Sequence, residues 1–196
     1  MAASIALTTA AAVKSYLGIT GSTFDTVLGE VIAAVSQSIE RYCKRKFKQE
    51  EVTEYHDGAG YHKLAVDRPP FSRGGTISIW VDLSIPRDYA DGDLLTDSGY
   101  TINHKSGIIT RPGGFPAGDE SVKITYTGGL GATTGDLPDD LQLAAKIWVA
   151  SFFVKGKEGA DGIATFRLGA YSATYDHKSM PSEVRQLLAT YRYRRF

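Results

Sequence analysis

The sequence predicts an α+β protein, with a helical bundle body built from the N- and C-terminal helices and a small antiparallel β lobe inserted between them. Three observations predict it. From Ser22 to Phe47 apolar residues recur at helical spacing. From about residue 50 to 128 the rhythm becomes period two, with turn signals at short intervals. A helical pattern then returns after Pro138 and again after Pro181. The expected organisation is a helical hairpin in 1–49, the β lobe in 50–128, and a helix, an extended arm and a terminal helix with a tail in 129–196.

Thr8 to Leu17 reads as a short capped helix closing at Gly18. The long helix carries Phe24, Val27, Leu28, Val31, Ile32, Val35, Ile39, Tyr42, Cys43 and Phe47 on one stripe. Thr20 to Thr23 supplies its turn and cap. Arg41, Lys44, Arg45, Lys46 and Lys48 load its C-terminal end, where the helix dipole favours cations. Glu51 to His56 then alternates, Asp57–Gly60 turns, and Tyr61 to Val66 reads as a returning strand that Pro69 and Pro70 terminate. Thr76 to Val81 is the clearest strand, with Ile77, Ile79 and Val81 on one face. Tyr100–Asn103 and Ile108–Thr110 flank a turn, and Val122–Tyr126 runs into Gly128, Gly129 and Gly131, read as turn residues with positive φ.

Pro138 suits a first helical position, and Asp139 and Asp140 complement the dipole behind it. Leu141, Ala144, Ala145, Trp148, Phe152 and Phe153 make that helix's apolar face. Lys155 to Gly162 reads as a polar break. Ile163 to Tyr175 is extended and rich in β-formers, and Pro181 starts a short helix with the stripe Val184, Leu187, Leu188 and Tyr191.

Composition narrows the function. Of the 196 residues 42% are hydrophobic, enough for a core, and 22 basic side chains balance 22 acidic ones. A protein that grips DNA by its phosphates carries a basic excess, so tight general DNA binding is disfavoured. The lone Cys43 excludes an intramolecular disulfide and a cysteine metal cluster, and suits a reducing cytosol. The N-terminus lacks the pattern of a secretory signal, and no apolar run approaches bilayer length.

Catalytic signatures are not found. His56, His62, His104 and His177 do not take metal-ligand spacings, and isolated histidines in strands and turns usually have structural or surface roles. Asp91-Gly92-Asp93 is a fragment of a calcium loop without the terminal glutamate, so it reads as a turn. Gly128 to Gly131 lack both GxGxxG order and the Lys-Ser or Lys-Thr pair of a phosphate loop. Cys43 on the buried stripe is a packing residue, and no metal or cofactor is expected.

Three features exceed the bland reading. Tyr191, Arg192, Tyr193, Arg194, Arg195 and Phe196 form a basic-aromatic tail, either a solvated end or an anchor of the kind enriched at interfaces. Phe166, Leu168, Tyr171 and Tyr175 lie in the extended segment, either an internal strand or an arm that pairs with a neighbouring subunit. The Arg41–Lys48 cluster is either a solvated helix end or a surface facing a passing polyanion.

The order of these pieces resembles the head–tail connector (adaptor, head completion) proteins of tailed bacteriophages. The residues that carry the likeness are Leu7-Thr8-Thr9 with Val13 to Ile19, Ile32-Ala33-Ala34, and Ile39 to Phe47. They continue with Asp67-Arg68-Pro69-Pro70, Val122 to Gly129, Leu137 to Leu141 with Ala144 and Ala145, Leu168 to Ser172, and Pro181 to Val184 with Leu187, Leu188, Tyr191 and Arg192. The resemblance implies a structural, non-enzymatic virion protein, made in the bacterial host cytoplasm and seated at the neck. It implies a ring of itself, a dodecamer, between the portal protein and a tail terminator or stopper. Genomic double-stranded DNA would pass through the lumen without sequence-specific binding, with no cofactor and no membrane. The C-terminal segment would reach toward the portal. The rivals are a DNA-binding packaging factor and a small cell-wall hydrolase; the latter needs His56, His62 or His104 around one cleft with an acidic partner.

Overall fold

The computed structural model describes residues 4–72, 75–158, 165–168, 171–174 and 180–192, and of 97, 153–158, 165–168 and 171–174 the backbone only. The chain divides into two compact units, Met1–Arg45 with Thr133–Phe196 and Lys46–Ala132.

The first unit opens with α1, Ala10–Leu17, where the Thr9 hydroxyl accepts the Ala12 N–H at 3.1 Å. Gly18 ends it at φ 66, a left-handed position that costs a Cβ-free residue nothing. α2, Asp25–Cys43, buries Leu28, Ile32, Val35, Ser36, Ile39, Glu40 and Cys43. Val27 from the expected stripe is exposed. The Ser36 hydroxyl accepts the buried Leu7 N–H at 3.0 Å, which ties the N-terminal segment to α2. Lys14 joins Asp25 at 2.6 Å, linking α1 to the start of α2.

α2 stops four residues before Phe47. Lys44 takes φ 54 and returns its N–H to Glu40 and Arg41. Past this left-handed cap the chain takes other partners: the Phe47 carbonyl accepts the Leu130 N–H at 2.9 Å, and Gln49 N–H donates to Gly131 at 2.8 Å. These pairings hold Phe47 in the second unit, where it is buried.

α3, Asp139–Glu158, runs into the stretch expected as a break, of which 159–162 lie outside the described residues. β7, Thr165–Leu168, and β8, Tyr171–Thr174, pair antiparallel from Thr165↔Thr174 to Leu168↔Tyr171. α4, Ser182–Leu188, buries Val184 and Leu188.

The helical bundle body expected from the sequence is corrected here. A bundle needs long helices lying side by side along a shared seam. α1 and α4 have eight and seven residues, about two turns each, against 19 and 20 in α2 and α3. The β7–β8 ribbon belongs to the same unit. The described residues form four helices, two three-stranded antiparallel sheets and that ribbon: α+β, without a bundle.

The second unit holds both sheets. β1 (Glu50–Gly58), β6 (Gly118–Gly128) and β3 (Ile77–Val81) form one in the order β1-β6-β3. β2 (Lys63–Ala65), β5 (Ile108–Thr110) and β4 (Thr101–Asn103) form the other, in the order β2-β5-β4. The β4–β5 hairpin lies where the turn signal put it. Tyr61 to Val66 does not return along β1: β1 pairs with β6 and β2 with β5. Ile79, Val122, Ile124, Tyr126, Ile109, Phe71 and Phe115 form the core, with Ile77 and Val81 packed against it. Of the three glycines expected at positive φ only Gly129 has it, at 125, and its Cβ would lie 2.4 Å from the Lys48 carbonyl oxygen.

Candidate functional site

The register of β1 sets the most organised polar group in the molecule. Val52, Glu54 and His56 face Tyr126, Ile124 and Val122 of β6, whereas Glu51, Thr53 and Tyr55 are exposed. A carboxylate and an imidazole therefore point toward the apolar side of the sheet. Glu54 is saturated there. The Tyr126 hydroxyl donates to Oε1, the Asp67 N–H donates to both oxygens at 3.0 and 3.2 Å, and His56 Nε2 lies 3.0 Å from Oε2. Burial pushes the Glu54 carboxyl upward, but the bonds from His56, Tyr126 and Asp67 outweigh it, and its pKa is lowered. Burial, with Glu54 beside it, pushes the Tyr126 phenol well above its ordinary range. Tyr126 also accepts the Arg68 N–H at 3.1 Å, and Arg68 pairs with Glu50 at 2.6 Å. Sequence reasoning weighed His56 but did not single out Glu54 or Tyr126, because their meeting depends on the β1–β6 register.

This network ties β1 and β6 to the Asp67–Arg68 segment. The three histidines singled out as hydrolase candidates have different partners. His56 meets Glu54, His62 Nδ1 lies 3.2 Å from the Arg111 carbonyl, and the His104 ring is set edge-on to Phe71. His177 lies outside the described residues.

Among the described residues one group has metal-ligand proximity: Asp82, Asp88 and Asp93. The buried Asp82 accepts N–H groups from Ser84 at 2.6 Å, Asp88 at 2.9 Å and Tyr89 at 3.1 Å, which lower its pKa strongly. Its oxygens are thus engaged in holding a loop. Asp91–Asp93 is one turn of 3-10 helix, the plain turn expected. Cys43 is fully buried, and burial raises its thiol to about 12, which suits packing.

The interface candidates fall in several places. Tyr191 donates its hydroxyl to Asp140 at the start of α3, and burial with Asp140 beside it raises its pKa far above the ordinary range. The Arg192 guanidinium lies 5.2 Å from the centre of the Tyr42 ring on α2. Two of the six tail residues are therefore held on the chain's own helical unit; Tyr193, Arg194, Arg195 and Phe196 lie outside the described residues. Phe166 and Leu168 are on β7 and Tyr171 on β8, while Tyr175 lies outside the described residues. The basic cluster divides between units: Arg41, Lys44 and Arg45 belong to the helical one, Lys46 and Lys48 to the β lobe. Lys48 pairs with Glu50 at 3.3 Å. Among the described residues no helix is long and apolar enough to cross a membrane.

The described residues thus make an α+β chain of two units, with Glu54 and Asp82 held by hydrogen bonds and Tyr191 and Arg192 docked on the helical unit. The family model of the head completion proteins matches residues 6–194, nearly the whole chain. The chain belongs to the head completion protein family, and is a structural virion protein of the head–tail junction. Its fold is similar to solved chains from gene transfer agent (GTA) particles. One, from the neck of a native particle computed with C12 symmetry, has a TM-score of 0.61 at 17% identity, covering 95% of this chain and 88% of that one. A second, from the virion of a native particle, has 0.58 at 19%, covering 90% and 81%. A third, from the neck of an empty particle computed with C6 symmetry, has 0.57 at 18%, covering 88% and 80%. No curated protein matches significantly.

Proposed function

We propose that this head completion protein forms a ring, a dodecamer, seated between the portal and the tail terminator or stopper, where it extends the DNA channel and completes the head. The observation that carries this reading is the family match over residues 6–194. The fold likeness to a GTA neck chain solved under twelve-fold averaging supports the stoichiometry. The role is mechanical and needs no catalysis.

The division of labour is part of this proposal. Tyr191 and Arg192 dock on α3 and α2, and Tyr193, Arg194, Arg195 and Phe196 supply the basic and aromatic groups for an acidic and apolar groove of the portal. The segment bearing Phe166, Leu168, Tyr171 and Tyr175 acts as the inter-subunit arm, and the described β7–β8 ribbon is compatible with further strand addition. Arg41, Lys44, Arg45, Lys46 and Lys48 face passing DNA, and the balanced net charge keeps that contact weak enough for sliding. Native mass spectrometry of the chain alone and with purified portal tests the reading. The expected result is a monomer or weak oligomer alone and a dodecameric ring on the portal; a monomer under both conditions would overturn it.

A further inference from the structure

The loop after β3 combines two properties that rarely coincide: it is braced, and its tip is apolar. Ile85 is 94% exposed and Leu83 56%. The bracing is extensive. Besides the three N–H groups on Asp82, Arg87 Nε donates to the Asp119 carbonyl at 2.8 Å, and the Tyr89 hydroxyl donates to the Glu120 carbonyl at 2.7 Å. The Tyr89 ring lies 5.5 Å from that of Tyr55 on β1. A loop so tied cannot hide its tip by collapsing, and two exposed apolar side chains, Leu83 and Ile85, on a braced loop have the form of an anchor for a pocket.

Charge indicates the partner. The chain is neutral overall, but its two units are not. Met1–Arg45 with Thr133–Phe196 carries thirteen Lys and Arg against ten Asp and Glu, net +3. Lys46–Ala132 carries nine against twelve, net −3. The loop concentrates that negative charge: Asp82, Asp88, Asp91 and Asp93 accompany a single Arg87. The positive unit also exposes apolar surface, with Phe152 on α3 49% exposed and stacked on Trp148 at 6.1 Å between ring centres.

We propose that the Asp82–Leu94 loop is an inter-subunit knob, with Leu83 and Ile85 inserting into the net-positive helical unit of a neighbouring copy. Each copy then offers a knob on one unit and a receptor on the other. That is the heterologous, head-to-tail arrangement from which closed rings are built. Opposite net charges steer the approach, and the buried tip sets the lifetime of the contact. This inference rests on the ring reading above and adds the surface that closes it.

The experiment places a photo-crosslinking amino acid at position 85 of the full chain and irradiates it with portal present, followed by peptide mapping. The expected product is a dimer joined from residue 85 to a peptide of the helical unit. Crosslinks mainly to portal, to another virion protein or within one copy would overturn the proposal. In parallel, the double variant Leu83→Glu/Ile85→Glu should lose the ring while melting within a few degrees of the parent, because both side chains are exposed. A variant that rings up as the parent does would overturn the knob and leave the ring reading standing. A parent chain that never forms a ring would sink the ring reading itself. Raising salt from about 0.05 to 0.5 M should shift the parent toward monomer, since the Debye length falls below about 5 Å.

Discussion

The Glu54 network shows how single side chains carry the β lobe. The Tyr126 hydroxyl donates to a buried carboxylate and accepts a backbone N–H, so Tyr126→Phe leaves two polar groups short of a partner. The expected loss is about 1–3 kcal/mol, or roughly 2–12 °C in Tm for a chain of this size; thermal melting checks it. The pH dependence has a definite sign. Glu54 and Glu50 titrate lower in the folded chain than unfolded, Glu54 through the bonds that outweigh its burial and Glu50 chiefly through Arg68. Their contribution is present above the unfolded carboxylate pKa of about 4.3 and is lost as pH falls through the folded values. Urea melts between pH 6 and 3 should therefore show stability falling from about pH 4.5 downward. In Tyr126→Phe the decline should be shallower, because Glu54 loses one of the bonds that hold its folded pKa below the unfolded one. Cys43 gives a second residue-scale test: buried, with its thiol raised to about 12, it should resist thiol reagents in the folded chain and react on unfolding.

For the helices, burial decides which of the periodic positions matter. Val35 is 2% exposed on α2, so Val35→Asp places an unpaired charge in the helical unit's core. The cost of several kcal/mol consumes much of the typical stability of about 5–15 kcal/mol, and a folded product is not expected. A variant with an unchanged melting curve would show the stripe to be misplaced. Docking of Tyr191 and Arg192 divides the C-terminal tail into two parts that respond differently to deletion. Removing 193–196 should leave the melting point within a few degrees yet cost portal attachment, giving DNA-filled heads without tails or heads that leak. Removing 191–196 should also cost about 1–3 kcal/mol, because the Asp140 hydrogen bond and the Tyr42 ring contact are lost. Normal tail joining by the shorter deletion would show those four residues to be dispensable.

For the whole molecule, zero net charge is the sum of +3 on one unit and −3 on the other rather than an absence of electrostatics. The isolated chain should bind linear DNA weakly, with affinity collapsing over the first few hundred millimolar salt. A gel shift showing tight, steeply salt-dependent binding by the monomer would favour a packaging factor over a neck component.

The residues alone determined what depends on near neighbours. The stripe through Leu28, Ile32, Val35 and Ile39 specifies a helix because positions three and four apart share a face whatever lies across from them. Tyr100 to Thr110 specifies a hairpin because its turn and both strands are contiguous. The ordered motifs pointed to the head completion family in the same way. Tertiary structure decided what depends on distant partners. β1 passes over the adjacent β2 for β6, more than sixty residues away, and this register turns Glu54 and His56 inward, onto a tyrosine that neutralises the cost. Beyond the left-handed Lys44 that closes α2, Phe47 and Gln49 likewise take distant partners, Leu130 and Gly131, and helices of unequal length assemble without a bundle. Periodicity states which face of an element is apolar. Which element covers that face is a competition among the whole chain's surfaces, and only the folded structure resolves it.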